Sequence, residues 1–258
     1  MPLDLALVMP VYNEEGCIAE VVTSWLGVLS GLGIRFKMIV LDDGSTDGTK
    51  EVLAGFADDG RIEVVHKANS GHGPTILIGY HRAVETADWV FQCDSDNEMP
   101  VGHFPALWES REQYDALFGV RVGRLQNVGR RLISAVSRLT VRTFFGKGIA
   151  DVNTPYRLMR ARLLNEIIAQ IPDDTFAPNV IISGTLARGQ ARILSYPVPH
   201  RGRRTGKASI VRWKLWKSAV RAFLQTVRCR PHVDTKNTPM RREAQNTESQ
   251  PEVRIGRE

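Results

Sequence analysis

Residues 36–49 read Phe-Lys-Met-Ile-Val-Leu-Asp-Asp-Gly-Ser-Thr-Asp-Gly-Thr. The apolar run Phe36–Leu41 has the length and composition of a buried strand. It breaks at Asp42-Asp43-Gly44, and Thr46–Phe56 then takes helical spacing. A strand that stops on carboxylates and passes into a helix is the repeating unit of a doubly wound sheet. In such sheets ligands sit beyond the carboxyl ends of the strands. The unit recurs on both sides. Leu3–Val11 is strand-like and precedes helical Glu14–Leu32, which stops at Gly31 and Gly33. Arg61–His66 precedes a helix over Pro74–Thr86, with Pro74 near the first turn, where a missing N–H costs least. Asp88–Cys93 runs into Asp94. The expectation is an α/β fold with a doubly wound, mostly parallel sheet.

The second half is less regular. Tyr114–Val120 and Ala191–Val198 read as strands, and Asp151–Met159 as a strand or extended segment. Leu125–Phe145 reads as a long basic helix, and Ala161–Ile171 and Asn179–Arg188 as helices. A Gly/Arg loop at His200–Lys207 leads to a helix over Ser209–Arg228. Beyond Pro231 the chain is polar and almost without apolar residues, the composition of a disordered tail.

The 258 residues suffice for one α/β domain with a sizeable core. Cys17, Cys93 and Cys229 are odd in number and widely spaced, which fits neither a disulfide framework nor a zinc pattern and suits a reducing cytosol. No apolar run approaches the roughly 18 residues of a membrane span. The N-terminal run lacks a basic segment and is interrupted by Asp4, so it reads as a strand rather than a signal peptide. The net charge of +6 is unevenly spread. Seven Lys/Arg and no acid lie between Asp115 and Asp151, and ten Lys/Arg and no acid lie from His200 to Arg230. The rest carries all 28 acids against 17 bases. Two basic segments on an acidic body point to anionic ligands or an anionic surface at defined places. Nucleic-acid binding is not expected, because acidic strand ends would repel phosphate.

Each strand end has two readings. Asp94-Ser95-Asp96, with Glu98 beyond, can hold a hard cation such as Mg²⁺ or Mn²⁺, or can be a solvated acidic turn. Asp42 and Asp43 can bond ribose or base, while Ser45, Thr46 or Asp47 can simply cap the next helix. Tyr12, between Pro10 and Glu14, offers a face to a nucleobase or belongs to an ordinary strand-to-helix turn. The glycines of Asn69-Ser70-Gly71-His72-Gly73-Pro74 permit close backbone approach, and the helix start behind them can face phosphate. The segment lacks the Gly-Lys-Ser/Thr of a P-loop.

Together these four clusters are far more specific than any one. Pro10–Glu14, Leu41–Thr49, Asn69–Gly73 and Asp94–Asp96 resemble, in order and approximate spacing, the motifs of family 2 glycosyltransferases. The resemblance covers roughly residues 3–228 and is most similar to dolichyl- and polyprenyl-phosphate sugar transferases. It implies the GT-A fold, with a Rossmann-like sheet. It divides the chain into a GT-A domain at 1–228 and a tail at 229–258. Within the domain, 1–100 would bind the nucleotide sugar, 101–199 the acceptor, and 200–228 would form a basic loop and amphipathic helix. The resemblance places Pro10, Tyr12, Glu14, Asp42, Asp43, Asp94 and Ser95 at the donor, with Asp94, Asp96 and Glu98 at the metal. Glu98 stands where the family commonly has Gln. Arg121, with Arg130 and Ser134, resembles elements that hold an acceptor phosphate, a role suited to the planar fork of Arg. Arg203 and Lys207 belong to a segment resembling the loop that closes over the donor diphosphate, although Ala208 stands where Ser is usual. Asp151, in a segment where Pro155 replaces the usual Gly, either lines the reaction centre or pairs with Arg157.

The resemblance thus implies a metal-dependent, inverting hexosyl transfer from a GDP- or UDP-sugar to a polyprenyl phosphate. Asp96, Asp151 and Arg203 would be the catalytic residues. A hydroxyl acceptor, or an inert nucleotide-sugar-binding domain, is the alternative. Trp213, Trp216, Phe223 and neighbouring apolar residues in 209–228 recur at helical spacing with five Lys/Arg largely between them. Such a helix either packs on the core or lies in a membrane interface, where each basic residue contributes about 1 kcal/mol. The expected location is the cytoplasmic membrane face, attached peripherally or through a membrane-protein partner.

Overall fold

A computed structural model describes residues 2–122, 152–199, 225, 229 and 231. The elements run β1 (Leu3–Val11), α1 (Ile18–Gly31), β2 (Phe36–Asp42), α2 (Thr49–Ala54), β3 (Ile62–His66), α3 (His72–Val84) and β4 (Ala87–Gln92). Then come α4 (Phe104–Ser110), β5 (Ala116–Val122), β6 (Arg157–Arg160), α5 (Ala161–Ile168), α6 (Pro178–Arg188) and β7 (Ile193–Pro199). Among the described residues seven strands form one sheet in the order β3-β2-β1-β4-β6-β5-β7. β1 pairs in parallel with β2 and β4, and β2 with β3. β6 runs antiparallel to both β4 and β5, while β5 and β7 are parallel. Only β6 is reversed, so six strands end on one edge, where β6 begins. That edge carries Tyr12, Asp43, Asp94 and Arg121.

Strand alternation builds two cores. Leu5, Leu7, Met9 and Val11 face one layer, and Ala6 and Val8 the other. On the first side α1 buries Ile18, Val21, Val22, Trp25 and Leu29, a helical stripe that sets its orientation. On the second side α3 buries Ile76, Leu77 and Tyr80, and α5 adds Leu163, Leu164 and Ile167. Gly79 lets α3 lie against β1, since a Cβ there would come within 2.4 Å of Val8 Cγ1.

The first four strands and their helices appear where expected, with shifted starts. Glu14–Leu32 was expected as helix, but α1 starts at Ile18, because Cys17 (φ −139°) and the left-handed Asn13 (φ 54°) depart from helical geometry, and Glu14 and Glu15 donate their N–H groups to Thr49 Oγ1 and Asp47 Oδ2. Similarly, α2 starts at Thr49 rather than Thr46, because residues 45–47 are engaged with residues 13–15. The extended segment expected over Asp151–Met159 forms a strand only from Arg157, preceded by a turn. α4 was not anticipated. The expected helix at 125–145 and loop at 200–207 lie outside the described residues. So do the helix at 209–228 and the tail, except at residues 225, 229 and 231. No helix among the described residues is long and apolar enough to cross a membrane.

Phe91 occupies the centre of the first core, with ring centroids 5.1 Å from Trp25, 4.7 Å from Phe104 and 4.8 Å from Tyr156. Phe91→Ala should cost about 3–5 kcal/mol of unfolding free energy, read as a lowered midpoint in urea.

Candidate active site

The loops after β1 and β2 are closed onto each other by short polar bonds. Asn13, left-handed at φ 54°, donates its N–H to Ser45 Oγ at 3.0 Å and accepts from Thr46 N at 2.7 Å. Glu15 Oε2 accepts from Gly48 N at 2.7 Å. The loop after β3 joins them through Asp43. Its buried carboxylate accepts from Ser70 N at 2.8 Å, from Gly71 N at 2.9 Å and from Lys67 Nζ. Gly44, at φ 71°, allows the approach, because a Cβ there would lie 2.8 Å from Asn69 N.

These loops enclose a cleft of about 600 Å³. One part of its lining is polar and acidic: Glu14, Asp43, Asp94, Ser95 and Asp96, with His72 and Asn153. Pro10 and the half-exposed Tyr12 line it too. Another part is apolar, made by Ile76, Phe176, Ala177 and Pro178. Phe176 is brought there by a close approach of two backbones. A Cβ on Gly73 would lie 2.3 Å from the carbonyl oxygens of Thr175 and Phe176. The same loop is held from the C-terminal side, where Phe176 N donates to Gln225 Oε1 at 2.9 Å.

Of the residues expected at the donor, Pro10, Tyr12, Glu14, Asp43, Asp94 and Ser95 converge on this cleft, whereas Asp42 stands behind it. It accepts from Ser45 N and from His66 Nδ1, each at 2.9 Å. Asp94 and Asp96 line the cleft and also a smaller adjoining cavity shared with Glu98 and Arg121. Glu98 does not reach the main cleft, and Asp96 Oδ1 accepts its N–H at 3.1 Å. Among the described residues no three His, Cys, Asp or Glu side chains gather into a metal cage. Two half-buried carboxylates at the cleft edge suit a hard cation that completes its shell with substrate phosphate oxygens. Cys93 is buried beside them. Burial, and then the charges of Asp94 and Asp96, push its thiol well above the ordinary value, which leaves it protonated rather than nucleophilic. Arg157 is fully buried over the Phe118 ring and donates to the carbonyls of Val152, Thr154 and Asn179. Arg130, Ser134, Asp151, Arg203 and Lys207 lie outside the described residues.

Sequence reading did not single out Phe176–Asn179 or Gln92. The signal available for the former was Pro178 at the start of a helix. His72 was noted only as part of its loop, yet its Nε2 stands 3.7 Å from Asp94 Oδ1.

Burial opposes ionisation of Asp42, but the hydrogen bonds from Ser45 and His66 outweigh it and hold the carboxyl below its usual range. A depressed folded-state value gives stability that is present above the unfolded value of about 3.9 and is lost as pH falls through the folded one. The stability gap between the parent and Asp42→Asn should therefore shrink as pH falls below about 4, measured by urea unfolding.

Comparison with known proteins agrees with this geometry. The family model described as "Glycosyl transferase family 2" matches residues 6–168. The undecaprenyl-phosphate 4-deoxy-4-formamido-L-arabinose transferase of Pectobacterium atrosepticum is 31% identical over 189 residues, covering 72% of this chain and 57% of that protein. The enzyme of the same name from Pseudomonas aeruginosa is 31% identical over 196 residues, 74% of this chain and 56% of that protein. The chain thus spans a little more than half the length of these relatives. Glucosyl-3-phosphoglycerate synthase from Mycobacterium tuberculosis, in complex with Mn²⁺, UDP-glucose and phosphoglyceric acid, superposes with a TM-score of 0.65 at 19% identity. The alignment covers 90% of this chain and 81% of that one, and the likeness is one of fold. With the sheet, the acidic strand ends and the matched sequence in agreement, the chain belongs to glycosyl transferase family 2, in its GT-A fold.

Proposed function

We propose that the protein transfers a sugar, with inversion, from a nucleotide-diphosphate sugar to a polyprenyl phosphate. The observation that carries this reading is the cleft itself. Acidic donor-side strand ends and an apolar wall of Ile76, Phe176, Ala177 and Pro178 meet in one space, with Arg121 in the adjoining cavity. The similarity to undecaprenyl-phosphate sugar transferases supports the same acceptor class.

In this reading Tyr12 and Pro10 receive the nucleobase, and Glu14, Asp43 and Ser95 border the nucleotide. The carboxylates facing the cleft would repel a bare diphosphate. Asp94 and Asp96 are therefore the residues that would hold Mg²⁺ or Mn²⁺, and the cation would supply charge neutralisation for the leaving diphosphate. Arg203 and Lys207 would add positive charge at the same place. Arg121, Arg130 and Ser134 would aim the acceptor phosphate at the anomeric carbon. An acceptor oxygen bonds to that carbon as its bond to the diphosphate oxygen breaks, and the diphosphate leaves from the opposite face. A phosphate acceptor is already anionic near neutral pH, so it needs no general base. The polar chemistry and the basic 209–228 segment together fit an enzyme working peripherally at the cytoplasmic membrane face, by itself or with a membrane-protein partner.

The test offers purified protein and Mn²⁺ a panel of UDP- and GDP-sugars, with and without a short polyprenyl phosphate. Glycolipid should form with one donor, and Asp96→Ala should lower its rate on the order of 100-fold or more. Metal-dependent donor hydrolysis with no glycolipid would instead move the acceptor class to a hydroxyl. A base would then be needed, and Asp151 is the candidate.

A further inference from the structure

Behind the cleft lies a run of buried polar side chains that the proposed chemistry does not use. The Tyr80 hydroxyl donates to Asn179 Oδ1 at 2.9 Å. Asn179 Nδ2 donates to Gln92 Oε1 at 3.0 Å. Gln92 Nε2 donates to Asp94 Oδ1 at 3.3 Å. Tyr80 and Gln92 are fully buried, and Asn179 is 3% exposed. The three residues come from α3, β4 and α6, so the run crosses from one face of the sheet to its end.

Only one orientation of the Gln92 amide satisfies its neighbours. Turned over, its NH₂ would face the NH₂ of Asn179, and its oxygen would face the Asp94 carboxylate. Donor would oppose donor at the buried Asn179 end, and acceptor would oppose the carboxylate at the Asp94 end. The Asn179 side-chain oxygen accepts the proton of the buried Tyr80 hydroxyl, which also stands 3.4 Å from Gln92 Oε1, and Arg157 Nη1 donates to the Asn179 backbone carbonyl at 3.2 Å. The run therefore presents an N–H to Asp94, which sits in the loop just past the end of β4 and is half-exposed.

We infer that Gln92, oriented by Asn179 and Tyr80, is a positioning residue that holds the Asp94 carboxylate in the conformation that receives a divalent cation. The inference rests on the reading of Asp94 as a metal ligand. Outer partners of this kind commonly alter metal affinity 10–100-fold. Gln92 touches neither substrate nor cation in this arrangement and acts through Asp94 alone.

The test measures Mn²⁺ binding directly, from the electron paramagnetic resonance signal of free Mn²⁺ titrated with full-length protein in the presence of UDP. UDP binding in EDTA is measured separately by calorimetry. Gln92→Met keeps the length of the side chain and removes its N–H. It should weaken Mn²⁺ binding about tenfold while leaving metal-free UDP binding unchanged. Tyr80→Phe, which removes one hydroxyl, should give a smaller loss in the same direction and carries the test if Gln92→Met fails to fold. Parental Mn²⁺ affinity in the folded variants would overturn the inference, as would an equal loss of metal-free UDP binding. Asp94→Asn separates the two levels. If it abolishes Mn²⁺ binding while the Gln92 and Tyr80 variants bind normally, only the positioning role fails. If it leaves Mn²⁺ binding intact, the metal-ligand reading of Asp94 fails, and the inference with it.

Discussion

Asp43 ties three strand ends together, through its carboxylate and its backbone, and the cleft depends on that tie. Its side chain accepts from Lys67, Ser70 N and Gly71 N, its own N–H bonds the carbonyl of Val11, and its carbonyl accepts from Asn69 Nδ2. The loops after β1, β2 and β3 are thereby fixed relative to one another by one residue. Parallel strands bring those loops to the same edge, but do not by themselves determine how far apart the loops stand. Asp43 sets that distance, and Gly44 removes the side chain that would otherwise hold Asn69 away. An ion pair this deep is costly to desolvate, and the backbone N–H groups satisfy the lone pairs that Lys67 leaves.

The first hundred residues were legible in the sequence because each of their signals is local. A parallel strand buried on both faces is a largely apolar run, and polar residues at its carboxyl end follow it directly. Phe36–Leu41 followed by Asp42-Asp43-Gly44 is such a case, as is Trp89–Cys93 followed by Asp94. What local reading misplaced were the helix starts. Asn13, Glu14 and Glu15 have helical neighbours in sequence, but their backbone and side chains are committed to Ser45, Thr46, Asp47, Gly48 and Thr49, more than thirty residues away. Pairing at that separation leaves no trace in periodicity.

The rest of the site was hidden for the same reason in stronger form. Phe176 becomes part of the cleft because Gly73 admits its backbone, and neither segment contains the other's signal. Gln92 reads as one more strand residue, although its amide faces a buried run of polar partners. β6 reads as an extended stretch, but nothing in Arg157–Arg160 announces that it runs against its neighbours. That reversal carries the turn at 152–156 to the cleft edge, where Asn153 joins the lining.

Gln225 connects the far end of the chain to this architecture. Its side chain accepts from Phe176 N and donates to the Asp174 carbonyl, so one amide grips both sides of the loop that supplies the apolar wall. Residue 225 falls within the basic segment whose composition suits a lipid surface. In the proposed reading, tethering to a bilayer and the shape of the apolar wall would therefore be mechanically linked. A deletion that removed this segment would release Phe176 as well as any anchor, so lost turnover in such a truncation would not report on membrane attachment alone.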